Sequence, residues 1–593
     1  MIQIHSDFIA LLKWTHKFPR LRALLCGVIS AIFLILAFPF FEGNGVWWLA
    51  VLIPVPLMAV ADEPVIRPSR AAFYAGIGTL PAWLWTHQWM WGVSEIGTPF
   101  LMVYLMLFPA LFVWMGHRVV RRFGRGWIVL PAVWVGVEFL RGTVAFTGYP
   151  WYFSAHPLID SPGQVLAGAA GIGGVSMVGL FASALGWQVW GLVNGDRMLG
   201  RIYSIVGVLG VWIGLGMIGL SAGGDDGRSF VVGVVQSNVP QDNRMEWTDR
   251  QRYLDWMMFR ELTVASARDP GLTPDVIIWP EGFVPGWTFD PVSLEHERGF
   301  GLTWNMVPRF VGDAPGLVGM PERVPATTVV DEMLLIQRSM GIPMVVGSVA
   351  FENLKIVRDD QDWVQYTNDG MFNSVFVVDE GMVRSGWYNK MHLTPFGEVM
   401  PVISRWEWLE QRVLGLGAEG MEFILSAGED ATVLEVPVEG GGIRVGAPIC
   451  FEATVSGVCR ELVFDGGKRR SDVLMNLTND GWFGAWEPAR RAHMLTARWR
   501  CVELGTPMVR CANTGVSCVI DRRGGVSQER LTAADPDDPK RGYLNTRVIS
   551  GSGVTVFGRV GDVFGWLVFG LTVIGMIVSF VQKRSEPGHG ADE

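Results

Sequence analysis

The sequence predicts a polytopic membrane helix bundle of about eight spans carrying one α/β domain. Three observations predict it. Half of the 593-residue chain is apolar, and those residues gather into long runs. The basic residues between the runs fall in alternate loops, as membrane orientation requires. From residue 228 to 546 the charge density is ordinary, and short β-rich runs alternate with polar helical stretches.

A bilayer core about 30 Å thick is crossed by roughly 20 apolar residues in helix. Seven apolar runs precede residue 221: about Leu21–Phe41, Gly45–Ala61, Ala71–Trp91, Thr98–Gly116, Gly126–Leu140, Val165–Val193 and Ile202–Leu220. An eighth, 554–581, closes the chain, and Arg559 and Asp562 near its start place its true beginning near Val563. The first run leads straight into the second and lacks a small-residue cleavage site, so it reads as a retained anchor. The domain plan is a bundle over 1–220, an α/β domain over 228–546, the C-terminal helix and a tail over 582–593.

Loop charge orients this bundle. Lys13, Lys17, Arg20, Arg22, Arg67, Arg70, Arg118, Arg121, Arg122, Arg125, Arg197, Arg201, Lys583 and Arg584 all fall on one side. The alternate loops Glu42–Asn44, Gly92–Gly97 and Gly142–Gln164 hold no Lys or Arg; Arg141, at the edge of the fifth run, is the ambiguous case. Basic residues are retained in the cytoplasm, so both termini are expected there and the α/β domain outside. Trp47, Trp48, Trp83, Trp85, Trp89, Trp91, Tyr149 and Trp151 lie near the outer ends, either as an interfacial belt or as packing. His87 and His156 lie there too, facing headgroups or satisfied within the protein.

In the α/β stretch, Phe230–Gln236, Asp275–Pro280, Pro343–Val349, Asn373–Asp379, Ile443–Ile449 and Asp472–Leu477 read as strands, and the stretches between them suit one α/β domain. The net charge of −9 gives no basic footprint for nucleic acid. Of six cysteines, Cys26 lies in the first run. The other five are an odd number, so at least one stays unpaired. There is no Cys-x-x-Cys and no histidine at zinc spacing, so neither metal nor cofactor is expected.

Three residues carry the chemistry. Cys450 follows the strand Ile443–Ile449, at the carboxyl strand end where α/β folds bind ligands. Glu281 follows Asp275–Pro280, and Lys390 follows Asn373–Asp379 and a turn. A free thiol titrates near ~8.5 and is mostly protonated at neutral pH, so it needs a base to attack a carbonyl. Glu281 supplies one, and a lysine ammonium stabilises thiolate and oxyanion alike. His392, two residues past Lys390, is a rival base; the Glu281 signal makes it a structural neighbour. Gly415-Leu-Gly-Ala-Glu-Gly420 matches a dinucleotide fingerprint but follows no strand, and is read as chance.

Ile-Ile-Trp-Pro-Glu281, Tyr-Asn-Lys390 with Pro-Phe-Gly-Glu398, and Pro-Ile-Cys450-Phe-Glu452 resemble the Glu-Lys-Cys triad of the nitrilase superfamily. Membrane spans on both sides resemble the apolipoprotein N-acyltransferase family within it. Further matches are Val235–Gln241, Asn476–Gly484, Ala497–Gly505 with Arg510, Glu138–Gly142 and Thr147–Trp151. The resemblance implies a nitrilase-like α-β-β-α sandwich in the inner membrane, facing the periplasm, and a monomer. It implies a phospholipid acyl donor, a thioacyl-enzyme on Cys450, and a diacylglyceryl apolipoprotein whose N-terminal cysteine accepts the acyl group. Glu281 would be the base and Lys390 the oxyanion stabiliser. Glu398 and Glu452 would support the triad, Trp482 and Phe483 would line the acyl site, and Trp247 would match a mobile-arm tryptophan. A membrane-anchored carbon–nitrogen hydrolase with water as acceptor is the alternative.

The sequence departs from the pattern in places. Phe451 stands where the family more often has tyrosine, and two extra residues separate Pro240-Gln241 from Trp247. The stretch Asp290–Met340, with Phe300, Trp304, Met306 and Phe310, is longer than the family needs; a lid against the membrane and a plain insertion both remain open. A lipid donor fits the spans. Withdrawing a chain from the bilayer costs about 0.8 kcal/mol per CH₂.

Overall fold

The computed structural model describes residues 17–40, 43, 45–62, 66–124, 126–192, 227–239, 249–282, 288–303, 325–358, 364–395, 397–399, 425–529 and 531–581. The chain divides into two units, Met1–Gly223 with Asp562–Glu593, and Gly224–Gly561.

Among the described residues, the first unit holds five helices long and apolar enough to cross a membrane. They are Pro19–Ala37, Gly97–Phe123, Ile128–Thr147, Pro162–Phe181 and Val563–Phe580. A further 19-residue helix, Pro68–Thr86, packs against Pro19–Ala37. Those two backbones nearly touch: a Cβ on Gly27 would stand 2.3 Å from Ala75 O and 2.8 Å from Gly78 Cα. Small residues at such crossings let apolar helices exchange van der Waals contact that lipid would otherwise supply.

The second expected span does not form one helix. It is a 3₁₀ segment, Trp47–Leu52, followed by a short α-helix, Val55–Asp62. Pro54 and Pro56 lie at the break, and neither has an N–H to continue the ladder. The fifth span runs longer than expected, because Gly126–Phe139 continues through a π turn at Leu140–Val144. The C-terminal helix starts at Val563, where Arg559 and Asp562 placed its beginning; a separate turn, Val556–Val560, ends at Gly561 with φ +75°. The expected seventh span, Ile202–Leu220, lies outside the described residues.

Glu138 and Arg141, buried in the fifth span, both bond to neighbouring chain. Glu138 accepts from Ser154 N at 2.6 Å and Ser176 Oγ at 3.1 Å. Arg141 Nη2 donates to Trp151 O at 2.8 Å and Tyr152 O at 3.2 Å. Together they hold a turn with three non-glycine residues at positive φ, Phe146, Thr147 and Tyr152. His87 and His156 are internal. His87 Nε2 lies 2.7 Å from Tyr149 Oη, and His156 Nδ1 accepts from Phe153 N. The tryptophans divide: Trp47, Trp48 and Trp91 are exposed, Trp83 and Trp151 buried.

The second unit contains two main sheets. One runs in the order Thr532–Asp535, Asp538–Ile549, Ser229–Gln236, Val276–Ile278, Met344–Glu352, Gly370–Asp379, Met382–Val383, with Tyr388–Asn389 also on Gly370–Asp379. The other runs Val526–Gln528, Cys518–Ile520, Met508–Ala512, Val473–Thr478, Ile443–Gly446, Leu434–Val436. Three adjacent strands are parallel at the centre of each.

Side-chain alternation along the first sheet sorts residues into two cores. Val232, Val234, Val276, Ile278, Val345, Val375 and Val377 meet Val445, Val473, Met475 and Val509 of the other sheet. Val235, Ile277, Met344, Val346, Phe376 and Val378 face outward onto Trp256, Phe259, Leu262, Val329 and Met333 of the helices Asp249–Ala267 and Thr328–Met340. Helices Ser456–Val463 and Glu487–Leu504 cover the second sheet with Leu462, Ala497 and Cys501. This is an α-β-β-α sandwich, produced by the two-residue period of a strand buried on both faces.

The six expected strands form. The sequence reading missed Asp538–Ile549, which pairs antiparallel along the whole of Ser229–Gln236. Within the long stretch, Pro291–Phe300 and Thr328–Met340 are helices, the first capped by Asp290, which accepts from Val292 N. Trp304, Met306 and Phe310 fall outside the described residues.

Candidate active site

The parallel strands place their carboxyl ends together, and three expected residues meet there. Glu281 follows Val276–Ile278, and Gly347 of the neighbouring strand passes it closely. A Cβ on Gly347 would lie 2.8 Å from Pro280 O and 3.0 Å from Glu281 Cα. Cys450 opens a 3₁₀ turn, Cys450–Thr454, with φ +49°. That left-handed backbone costs a non-glycine residue of order 1–3 kcal/mol and swings the side chain out of the strand's line. Lys390 leaves Tyr388–Asn389 with no exposed surface.

The Lys390 ammonium lies 3.6 Å from Glu281 Oε1, and 2.7 and 2.8 Å from the two oxygens of Glu398. Thr394 N donates to Glu398 at 2.7 Å, fixing the carboxylate that fixes the lysine. Glu281 accepts from Asn373 Nδ2 at 2.8 Å and Asn479 N at 3.1 Å, and the Cys450 thiol is within hydrogen-bonding reach of it. Glu452 does not touch the lysine. Its oxygens accept from Ile449 N, Met391 N and His392 N at 2.7, 2.7 and 2.8 Å, and from Tyr388 Oη at 2.9 Å. It ties the thiol turn to the loop after Lys390.

Burial dominates the electrostatics. It raises the Glu281 carboxyl above its ordinary range, with Lys390 opposing and Glu398 adding to the rise. Burial alone would lower the Lys390 ammonium, but Glu398, Glu281 and the thiol outweigh it and raise it. Burial and the Glu281 charge push the Cys450 thiol up, so it stays protonated at neutral pH. Burial brings Glu452 up to about 7. The cluster thus holds a protonated thiol, a carboxylate more basic than usual and a fixed cation. These are the parts for base-assisted thiol attack on a carbonyl.

Phe483 is buried and Trp482 half-buried on the turn Asp480–Phe483, which follows Val473–Thr478. Trp247 lies outside the described residues. His392 stacks on Phe451 at 5.9 Å, and its backbone N–H serves Glu452. The sequence reading assigned no role to Asn373, Tyr388 or Asn479, although two of them lie inside quoted motifs; their signal was an amide or hydroxyl at a strand end. All six cysteines are free, and among the described residues no His, Cys, Asp and Glu group is arranged to hold a metal ion.

A solved amidase from Nesterenkonia sp. aligns at 13% identity and a TM-score of 0.32, covering 57% of this chain and 92% of that one. An apolipoprotein N-acyltransferase of Geobacter metallireducens is 27% identical over 95% of this chain and 96% of its own length. One from Vibrio cholerae is 27% identical over 86% of this chain and 89% of its own. Residues 30–188 match the apolipoprotein N-acyltransferase N-terminal domain family. Residues 232–544, more than half of the chain, match the carbon-nitrogen hydrolase family. The chain therefore belongs to the carbon-nitrogen hydrolase family, joined to an apolipoprotein N-acyltransferase N-terminal domain.

Proposed function

We propose that this protein is a phospholipid-dependent N-acyltransferase acting on the N-terminal S-diacylglyceryl cysteine of apolipoproteins. The observation that carries it is the Glu281–Lys390–Cys450 cluster in a chain that also has membrane-length apolar helices. The names of the relatives that match nearly the whole chain support the same reading.

In the first step Glu281 takes the thiol proton as sulfur attacks the sn-1 ester carbonyl. Lys390 holds the oxyanion, the carbon–oxygen bond breaks, and the lysophospholipid leaves with the proton from Glu281. In the second step the neutral α-amine attacks the thioester and passes its proton to Glu281. The carbon–sulfur bond breaks, and the thiolate recovers that proton. Glu398 orients Lys390, Glu452 holds the thiol turn, and Trp482 and Phe483 line the acyl site; Trp247 takes part in substrate binding. The domain faces the periplasm from the inner membrane, with both termini cytoplasmic, as the one-sided basic loops require. The protein acts as a monomer.

The test is incubation of the purified full chain with labelled phospholipid and a diacylated lipopeptide. N-acylated peptide is expected, and Cys450→Ala should abolish it while the protein still inserts. Release of free fatty acid with no N-acylated peptide would replace this reading with a carbon–nitrogen hydrolase that uses water.

A further inference from the structure

Behind the thiol lies a buried polar assembly that the two-step mechanism does not use. Asp480 has no exposed surface, and Arg510 Nη2 donates to its two oxygens at 2.9 and 2.7 Å. Arg510 Nη1 donates to Asn476 Oδ1 at 2.7 Å, and Asn476 Nδ2 donates to Pro448 O at 2.9 Å and Cys450 O at 3.3 Å. His493, on the helix Glu487–Leu504, enters from the other side. Its Nδ1 lies 2.9 Å from Asp480 Oδ1, and its ring also reaches the main chain of Cys450. Phe483 packs edge-on to that ring at 5.8 Å.

A buried ion pair with every oxygen occupied makes a rigid anchor, and what it grips is held in one geometry. Here the grip ends on Cys450, whose left-handed backbone has to be maintained by its surroundings. The ring touches the nucleophile's main chain on one side and the turn bearing Trp482 and Phe483 on the other.

We infer that His493 is a positioning residue that sets the thiol against the acyl-site turn, through its contacts with Asp480, the Cys450 main chain and Phe483. It neither donates to nor accepts from substrate. Its effect falls on the rate of acyl-enzyme formation, not on affinity for the donor. The inference rests on Cys450 being the nucleophile.

Two substitutions separate positioning from a structural role. His493→Gln keeps an amide with about the reach of the whole ring, and His493→Asn keeps only a partner for Asp480. In single turnover of the full-length enzyme with labelled phospholipid, we expect His493→Asn to slow acyl-enzyme formation about tenfold or more. KM for the donor should be unchanged and His493→Gln should recover most of the rate. Equal loss in both variants with lowered thermal midpoints would overturn the inference, as would a change confined to KM. Failure of both variants to accumulate folded would overturn it too, by showing that the ring serves the fold. Cys450→Ala is run in parallel. If it still turns over, the proposed function fails; if it is inactive while His493→Asn is normal, only this inference fails.

Discussion

Lys390 Nζ lies 2.7 Å from Glu398, inside hydrogen-bonding distance and closer than any other charged partner it has among the described residues. The ammonium is therefore held to one side, and the carboxylate expected to act as base keeps a looser 3.6 Å contact with it. Replacing Glu398 with Gln leaves Glu281 as the main counter-charge to a buried cation. Two shifts of the same sign follow. Glu281 loses the repulsion of Glu398 and gains a tighter cation, so its carboxyl titrates lower and becomes a weaker base. The acidic limb of kcat/KM should move to lower pH in Glu398→Gln, and the plateau should fall by about 10- to 100-fold. A pH–rate series on both proteins checks this; an unmoved limb would mean that Glu281 is not the titrating base.

In the wild type the same limb should lie above the ordinary glutamate value of about 4.3, because burial raises Glu281. Activity is present above the folded-state value and is lost as pH falls through it. The thiol is also raised, so thiolate formation should add no rise in rate at mildly alkaline pH. Glu281→Gln should remove the limb and prevent the hydroxylamine-labile acyl-enzyme from accumulating. Mass spectrometry of the quenched enzyme reads this directly, and normal accumulation would show another base at work.

Glu281 and Cys450 were legible because each is a reactive side chain directly after a β-rich run, and Lys390 because it follows one after a turn; topology brings such ends together. What holds them was not. Asn373, Asn479 and Tyr388 are ordinary polar residues whose role depends on which strands become neighbours, and one sequence carries no register. Asp538–Ile549 escaped because its apolar residues come in the pairs Tyr543-Leu544 and Val548-Ile549, separated by Asn545–Arg547 and preceded by Pro539, Lys540, Arg541 and Gly542, so no two-residue period shows. The broken second span failed for a different reason. Apolar length counts residues, whereas Pro54 and Pro56 act on hydrogen bonds.

Tyr388 is fully buried, and its hydroxyl sits 2.9 Å from both oxygens of Glu452. Tyr388→Phe keeps the ring and leaves the carboxyl one donor short. A hydrogen bond to such a group contributes about 1.5–3 kcal/mol. A lowered thermal midpoint is expected, together with faster alkylation of Cys450 by iodoacetamide as the thiol turn loosens. An unchanged alkylation rate would mean that Glu452 does not transmit to the thiol.

The Gly27–Gly78 crossing makes a separate prediction about the bundle. A Cβ on Gly78 would stand 2.3 Å from Leu24 O, a backbone atom that cannot rotate away. Gly78→Ala should force the helices Pro19–Ala37 and Pro68–Thr86 apart, at about 1–3 kcal/mol. Gly570→Ala is the control, since a Cβ there meets nothing within 4 Å. Thermal unfolding in detergent should separate the two; equal midpoints would show that the crossing carries no stability.

Arg510 and Asp480 set the acid limit of the α/β unit. Burial alone would raise the Asp480 carboxyl, but Arg510 and His493 more than offset it and hold it at about 2. An aspartate depressed on folding adds stability that is complete above its unfolded value, about 3.9, and is lost as pH falls towards the folded one. Arg510→Gln removes the guanidinium and strands Asp480 in the core. Breaking a buried pair in this way costs roughly 3–5 kcal/mol. The remaining carboxyl must titrate higher, so its stabilising share disappears at higher pH. Acid titration of the full chain, followed by tryptophan fluorescence, should give an unfolding midpoint above the wild type's. His493→Gln, which leaves Arg510 in place, should move that midpoint much less. If the two variants shifted it equally, the arginine would not be the main counter-charge to Asp480.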